Sequence, residues 1–463
     1  MKAKHQAPSP KIEIYNPENS ETPFLTFDRT GTRGAYTGLL SYTYSDGVDD
    51  LDGSFSFTVE NDIKNNVSIF DMIWPRDIVK IYEDTEKPVF IGIMKRKKIN
   101  AAMTERGVRR GIQFSGYNIL SAVSNFILSM DIKIMNVNDA QIESKKLTTA
   151  LARENGEHLD ILTFLKETWE AYTELSLNGH KISDSGMVKI IEKFILKDDG
   201  SFFEVNNNDS EFAYNIANSF YNQGQNKIME IWRNILPSPI YELFPRINAS
   251  GTPKLVVRET PFDAESWKTL NKYEIDPLDL EDYDLTQSDD EVYTVFNSFL
   301  EGSVLSHDQY TIISQVVHGG DSTIKMNVDK LGLYGYRPLE VSFRGYARKD
   351  NVDGDNNSNI INRFAELNER VMYWYSRLDE MLSGSISIAT DFHATKRPRS
   401  GERAGFLGGE FYINKTERSW SYGGTPKTNL TVTRGMKYNQ DGTQANRMEG
   451  LGKRLIELSG EVR

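Results

Sequence analysis

The sequence predicts an α+β protein, because strand-like segments lie towards both ends of the chain and a helical stretch separates them. Three observations carry this. Residues 54–59 (Ser-Phe-Ser-Phe-Thr-Val) alternate apolar and polar, which puts Phe55, Phe57 and Val59 on one face of a strand. Past residue 117 the apolar period becomes helical, with Leu159, Leu162, Phe164, Leu165, Trp169 and Tyr172. Strand patterns then return at 240–258, 384–390 and 408–436.

Taken in order, Asp52-Gly53 is a turn signal ahead of the 54–59 strand. Residues 77–82 (Asp-Ile-Val-Lys-Ile-Tyr) and 88–95 (Pro-Val-Phe-Ile-Gly-Ile-Met-Lys) flank the polar run 83–87 and form a hairpin. A fourth strand, 111–116, follows the basic turn 106–110. Short strands at this spacing suit a small antiparallel barrel or a sandwich. In the helical stretch, Asp184 is placed to cap a helix carrying Met187, Ile190, Ile191 and Phe194. A third helical run extends from about Asp209 to Leu236, interrupted near Gly224, and ends at Pro237-Ser-Pro239. Residues 240–244 and 254–258 flank Asn248-Ala-Ser-Gly-Thr-Pro253, a hairpin turn. An exposed loop at 350–359 leads into a helix near 359–382, and Gly423-Gly424 separates the last two strands. A faint echo links the two ends: the 77–82 and 89–95 strands have counterparts in Arg403-Ala-Gly-Phe406 and Gly409–Glu417.

With 463 residues the chain exceeds one ordinary core, and two to four domains are expected. It has no cysteine, which excludes disulfides, thiolate metal sites and cysteine nucleophiles and suits a reducing compartment. Its 66 acidic and 54 basic residues give a net charge of −12, a poor balance for neutralising phosphates along DNA but a good one for solubility. The N-terminal residues lack the shape of a signal peptide, and no apolar stretch approaches the ~20 residues of a membrane helix.

The search for chemistry comes back empty. None of the histidines (His5, His158, His180, His307, His318 and His393) pair at the spacing that sets two ligands on one helix face. Asp391 and His393 share a strand face and could give two ligands, but no third is indicated. In the loop from Asp353, Asp355 and Asn357 continue the spacing of a calcium loop, but Ser358 stands where Gly is needed and Phe364 where a bidentate Glu is needed. Residues 46–53 fail that test in the same way. The acidic stretch 274–291 holds carboxylates, Glu281 and Asp284 among them, that a glycosidase could use, but such runs are ordinarily solvated loops. Lys95 to Lys98 with Arg106, Arg109 and Arg110 form a basic patch, suited to an acidic neighbour and too small for nucleic-acid recognition. No nucleophile elbow or phosphate loop is present. No catalytic, metal or cofactor residue is assigned, and a structural or interaction protein is expected. The rivals are a carbohydrate-active enzyme and an adhesin.

Four segments, in order, resemble the baseplate hub family of contractile-tailed phages and related contractile injection systems. They are Ile73-Trp-Pro-Arg-Asp-Ile-Val-Lys-Ile-Tyr82 with Val89-Phe-Ile-Gly-Ile93; Pro239–Phe244 with Pro253-Lys-Leu-Val-Val-Arg-Glu-Thr-Pro-Phe262; Ser288-Asp-Asp-Glu-Val-Tyr-Thr-Val-Phe296, where Thr294 replaces the usual Asn; and Glu410–Gly424 with Leu430–Gly435. The resemblance implies two small antiparallel tail-tube-like β-barrels with a helical domain and a further α/β insertion between them. The divisions are then a first barrel at 1–130, a mainly helical domain at 131–245, a hairpin and acidic connection at 246–290, a second barrel at 291–440 with a helical insertion at about 311–382, and a tail at 441–463. It further implies a non-enzymatic homotrimer whose six barrels make a quasi-sixfold ring in a virion tail baseplate, assembled in the host bacterial cytoplasm. Its partners would be the tail tube or tube-initiator protein, the central spike, wedge proteins and the tape-measure protein. DNA would be only passing cargo, repelled by an acidic channel, and no membrane would be involved.

Overall fold

The computed structural model describes residues 10–19, 21–28, 36–48, 53–60, 63–64, 67–83, 86–104, 107–124, 127–129, 161–173, 176–177, 180–195, 203–206, 213–214, 225–248, 250–301, 324–344, 346–347, 356–389, 397–446 and 448. The principal strands are β1 (Pro10–Tyr15), β2 (Leu25–Asp28), β3 (Leu39–Gly47), β4 (Ser54–Glu60), β5 (Ile78–Glu83), β6 (Phe90–Thr104) and β7 (Gly107–Asn118). They continue with β8 (Tyr241–Ile247), β9 (Pro253–Glu259), β10 (Leu280–Thr286), β11 (Leu382–Ala389), β12 (Gly409–Ser421) and β13 (Lys427–Tyr438). Helices α1 (Ile161–Thr173), α2 (Gly186–Phe194), α3 (Ile228–Ile235), α4 (Val328–Tyr334) and α5 (Asn356–Tyr375) are the longer helical pieces. The protein is mostly β with few helices, built on a curled antiparallel half-barrel sheet.

That sheet has 14 strands, and its main path runs β10-β11-β13-β12-β3-β4-β7-β6-β5-β1-β2. Every pairing along the path is antiparallel. Both ends curl back. Beyond β2, a bridge between Phe27 and Tyr36 returns the sheet to the segment that enters β3. On the other side β12 pairs with Arg403–Phe406, which pairs with Lys272–Glu274. The latter strand is joined to β10, at the far end of the path, by Ile275–Asp279 alone. β12 is the common member: Glu410 and Tyr412 lie against the Arg403–Phe406 strand, and Lys415 to Ser421 lie against β3.

Each curl closes on its own apolar interior. Ile12, Phe27, Tyr42, Phe55, Phe57, Phe90 and Phe114 fill the N-terminal one. Ile386, Ile388, Phe411, Ile413, Leu430 and Val432 fill the C-terminal one. The alternation read at 54–59 is the reason: Phe55, Phe57 and Val59 are buried while Ser54 and Glu60 are exposed. Gly92 and Gly116 make the notch for Phe55, since a Cβ on Gly92 would stand 2.5 Å from its ring. The outer face of β5 and β6 is apolar too. There Ile78, Ile91 and Ile93 join a third core with α1, α2, α3, the β8–β9 hairpin and α5. Phe364, Leu367, Val371 and Trp374 of α5 enter this core at three- and four-residue spacing, the stripe an amphipathic helix presents.

Several elements differ from the sequence reading. Ser185, not Asp184, caps α2, its hydroxyl accepting the Val188 N–H, while Asp184 sits in a preceding 3₁₀ turn. Among the described residues of the helical run expected across 209–236, helix appears as α3, while Ala213–Tyr214 and Gln225–Lys227 form short strand pairs. The helix expected at 359–382 starts at Asn356 and ends at Tyr375, because residues 382–389 are taken up as β11.

Two glycines test this packing in opposite directions. Gly92→Ala is expected to lower stability by about 1–3 kcal/mol through overpacking against Phe55. Gly332→Ala, within α4 and with open space around it, is expected to add about 0.5–1 kcal/mol through helix propensity. Urea unfolding midpoints of both variants check the pair.

Candidate functional site: the seam between the sheet halves

Among the described residues, those that unite the two curls are the functional candidates. Strand β5 ends on Glu83, which is fully buried. Arg418 of β12 donates through Nε to both its carboxylate oxygens at 2.7 Å. Arg397 pairs with Oε2 at 2.8 Å and donates to the Glu83 carbonyl at 3.0 Å. The Tyr42 hydroxyl of β3 donates to Oε1 at 2.5 Å. One N-terminal carboxylate is therefore held by two C-terminal guanidinium groups. Burial works against the charge on Arg418, but the facing Glu83 carboxylate more than offsets it, and its pKa is raised. Burial and the same carboxylate push the Tyr42 phenol well up.

A second network ties the β8–β9 hairpin to the C-terminal half. Arg258 Nε pairs with Glu242 at 2.8 Å, and its Nη2 donates to the Gly401 carbonyl and to the Tyr412 hydroxyl, each at 2.8 Å. Tyr412 in turn donates to Glu242 Oε1 at 2.6 Å. All three side chains are buried. Beside them, Trp267 stacks on Tyr438 at 4.5 Å and donates to Glu410, which also pairs with Arg403 and Lys272. Arg434, in the left-handed region at φ 60°, lies 3.8 Å over the Trp374 ring. Residues quoted for the family resemblance thus converge here: Glu242 and Arg258 come from one segment, Glu410, Tyr412, Arg418 and Arg434 from another.

Asp77 marks the other end of β5. It is 6 % exposed and accepts the Trp74 N–H at 2.7 Å. Burial raises its pKa to about 6, with that hydrogen bond and Lys97 acting the other way.

Among the described residues, those singled out from sequence do not come together into a site. Of the histidines, His180 lies in the short strand His180–Lys181; His5, His158, His307, His318 and His393 fall outside the described residues, as do Asp391, Asp353 and Asp355. Asn357 and Ser358 belong to α5, and Phe364 is a buried core residue of the same helix. Glu281 and Asp284 sit on the exposed strand β10, where Glu281 pairs with Lys427 at 2.7 Å. Lys95 to Lys98 lie on β6 and Arg109 and Arg110 on β7; Arg106 is outside the described residues. Among the described residues no three His, Asp or Glu side chains gather to hold a metal ion, and no helix is long and apolar enough to cross a membrane. The seam itself went unread. Its one sequence signal is a charge at an inward strand position: Thr416, Arg418 and Trp420 alternate into the interior while Glu417 and Ser421 face out.

No family model and no curated protein sequence matches the chain. Solved structures do. The tail protein from Neisseria meningitidis MC58 superimposes with a TM-score of 0.50 at 10% identity, over 92% of this chain and 96% of that one. The 43 kDa tail protein of prophage MuSo2 from Shewanella oneidensis gives 0.46 at 10% identity, over 92% and 98%. Prophage tail protein gp18 from Listeria monocytogenes EGD-e gives 0.40 at 9% identity, over 98% of each chain. The fold assignment rests on the first: the chain has a tail-protein fold.

Two outcomes follow from the seam. Glu83→Ala takes the shared carboxylate from the buried Arg418 and the half-buried Arg397 and is expected to cost about 3–5 kcal/mol in urea unfolding, whereas replacing Glu83, Arg397 and Arg418 together by Leu or Met is expected to recover most of that loss. For Asp77, the folded state holds the proton more tightly than the unfolded chain, whose carboxyl titrates near 3.8. Its contribution is therefore full below about pH 4 and lost as pH rises to about 6. Asp77→Asn, which keeps an acceptor for Trp74, is expected to flatten the fall in stability across that window.

Proposed function

We propose that this chain is the structural hub of a phage-type contractile tail baseplate. In that reading three copies form a ring that joins the tail tube, or a tube-initiator protein, to the central spike. The observation that carries it is the doubled curl. One sheet curls round two separate apolar interiors, and the two curls share β12 and are locked by Glu83. Taken as two tube-like barrels within an α+β chain, they would give a homotrimer six similar units in a ring. Such a ring meets a sixfold tube on one face and a threefold spike on the other. The tail-protein fold over 92% of the chain supports the same reading.

The role is mechanical, without catalysis, and the surface chemistry agrees with that. The carboxylates of 274–291 lie on and beside an exposed strand rather than facing one another across a cleft. Wedge and tape-measure proteins are the further partners, with DNA as cargo through an acidic channel. The hub would belong to the virion tail and be assembled in the host bacterial cytoplasm.

Mass measurement in solution tests the reading directly. The chain is expected to form trimers, alone or on mixing with the tube and spike proteins of the same tail, and to give threefold rings in electron micrographs. A chain that stays monomeric alone and in those mixtures would contradict it.

A further inference from the structure

Strand β6 outruns its neighbours. β5 pairs with it only from Phe90 to Ile93, and β4 pairs with β7 only from Gly111 to Tyr117. Beyond these limits β6 and β7 pair with each other alone, down to Thr104 against Gly107. The hairpin from Lys95 of β6 onward is an arm whose β6 edge carries no partner strand among the described residues, and Ala101–Thr104 with Gly107–Arg110 stand clear of β4 as well. Residues 95–111 hold seven Lys or Arg and one acidic residue, in a chain whose net charge is −12. The backbone register sets no acidic residue opposite the described cations of β6 and β7. Arg96 faces Ser115, Lys98 faces Gln113, and Ala101 and Ala102 face Arg110 and Arg109. Lys97 is spoken for, donating to the Phe70 and Ile73 carbonyls at 2.7 and 3.0 Å. Lys95, Arg96 and Lys98 are exposed, and among the described residues none of them forms an ion pair.

The complementary surface is β10, the end strand of the path, whose outer side carries no partner strand among the described residues. Residues 274–291 contain nine acidic residues and no basic one. Within β10, Tyr283 and Leu285 pack inward against the C-terminal core, and Asp282 and Asp284 are exposed. In one copy seven strand spacings separate β10 from β6 along the sheet, about 34 Å at ~4.8 Å each.

We propose that the basic β6–β7 arm of one copy docks along the acidic strand β10 of a second copy. The contact matches opposite charges and covers an open sheet edge, two features that set partner and register. It rests on the ring reading above and names the surfaces that would close that ring.

The test is charge reversal read by sedimentation velocity, with the unfolding midpoint as a check that these exposed substitutions leave the fold intact. An arm variant (Lys95→Glu, Arg96→Glu, Lys98→Glu) and an edge variant (Asp282→Lys, Asp284→Lys) are each expected to weaken self-association by about tenfold or more. The chain carrying both sets regains complementarity and is expected to recover it. Because the protein has no cysteine, Lys98→Cys with Asp284→Cys is expected to give intermolecular disulfides under mild oxidation that neither single variant gives. If the wild type self-associates and the variants do so equally well, the arm contact is wrong and the ring survives. A wild type that is monomeric alone and with tube and spike proteins removes both. Loss of duplex-DNA binding in the arm variant with self-association intact would reassign the arm to nucleic acid and overturn the contact.

Discussion

The structure depends on a carboxylate that has nowhere else to go. Glu83 sits at the end of β5 with no exposure to water, and every polar atom around it comes from another part of the fold: Tyr42, Arg397 and Arg418. Removing these charges from water is expensive, so the cluster adds little net stability over apolar side chains of the same volume. Its effect is on alternatives. A one-residue slip of β12 against β3 would carry Arg418 to the other face of the sheet and leave Glu83 short of a partner. The ion cluster thus fixes where one curl stands against the other, while the apolar interiors provide the stabilisation.

That division of labour explains why β12 is 13 residues long. Its first residues complete the C-terminal curl through Arg403–Phe406, and its last residues complete the seam with β3. Bulges at two places in its pairing with β13 let it change direction between these tasks. The β8–β9 hairpin then braces the same strand from behind, since Tyr412 is held by Arg258 and Glu242. The two units are thereby braced against each other, as the proposed place between a tube and a spike would require.

How much of this was legible follows from the range of each interaction. Local patterns read well. Phe55, Phe57 and Val59 alternate into the core, the β8–β9 hairpin forms round Asn248, and Gly423 and Gly424 turn the chain between β12 and β13. Where two local signals competed, the reading slipped. Asp184 and Ser185 are both good caps, and only the backbone at Ser185 leaves its hydroxyl free to accept from Val188. The stretch ending in α3 carries enough apolar residues for a helix, but antiparallel pairing of Gln225–Lys227 with Ile127–Ser129 takes the residues just before α3 into a strand. The seam was illegible because its partners lie more than 300 residues apart in sequence. A buried charge can be suspected from one strand, but its counter-charge cannot be located from it.

The segments that resemble the hub family acquire a physical reading from this. Gly92 makes room for the Phe55 ring; Glu242, Arg258 and Tyr412 form one buried network; Phe262 packs edge-on to Trp374 at 4.7 Å. None of these is placed to act on a substrate. They determine how two sheets and a hairpin are fastened, and such fastening constrains only a few side chains while leaving the surfaces free. A fold held this way can persist at 10% identity, because most positions need only be apolar or polar on the correct face. The surfaces, by contrast, are where the charge is segregated, with cations on the β6–β7 arm and carboxylates along β10. In a protein whose interior is spent on alignment, segregated surface charge is the remaining means of choosing a neighbour.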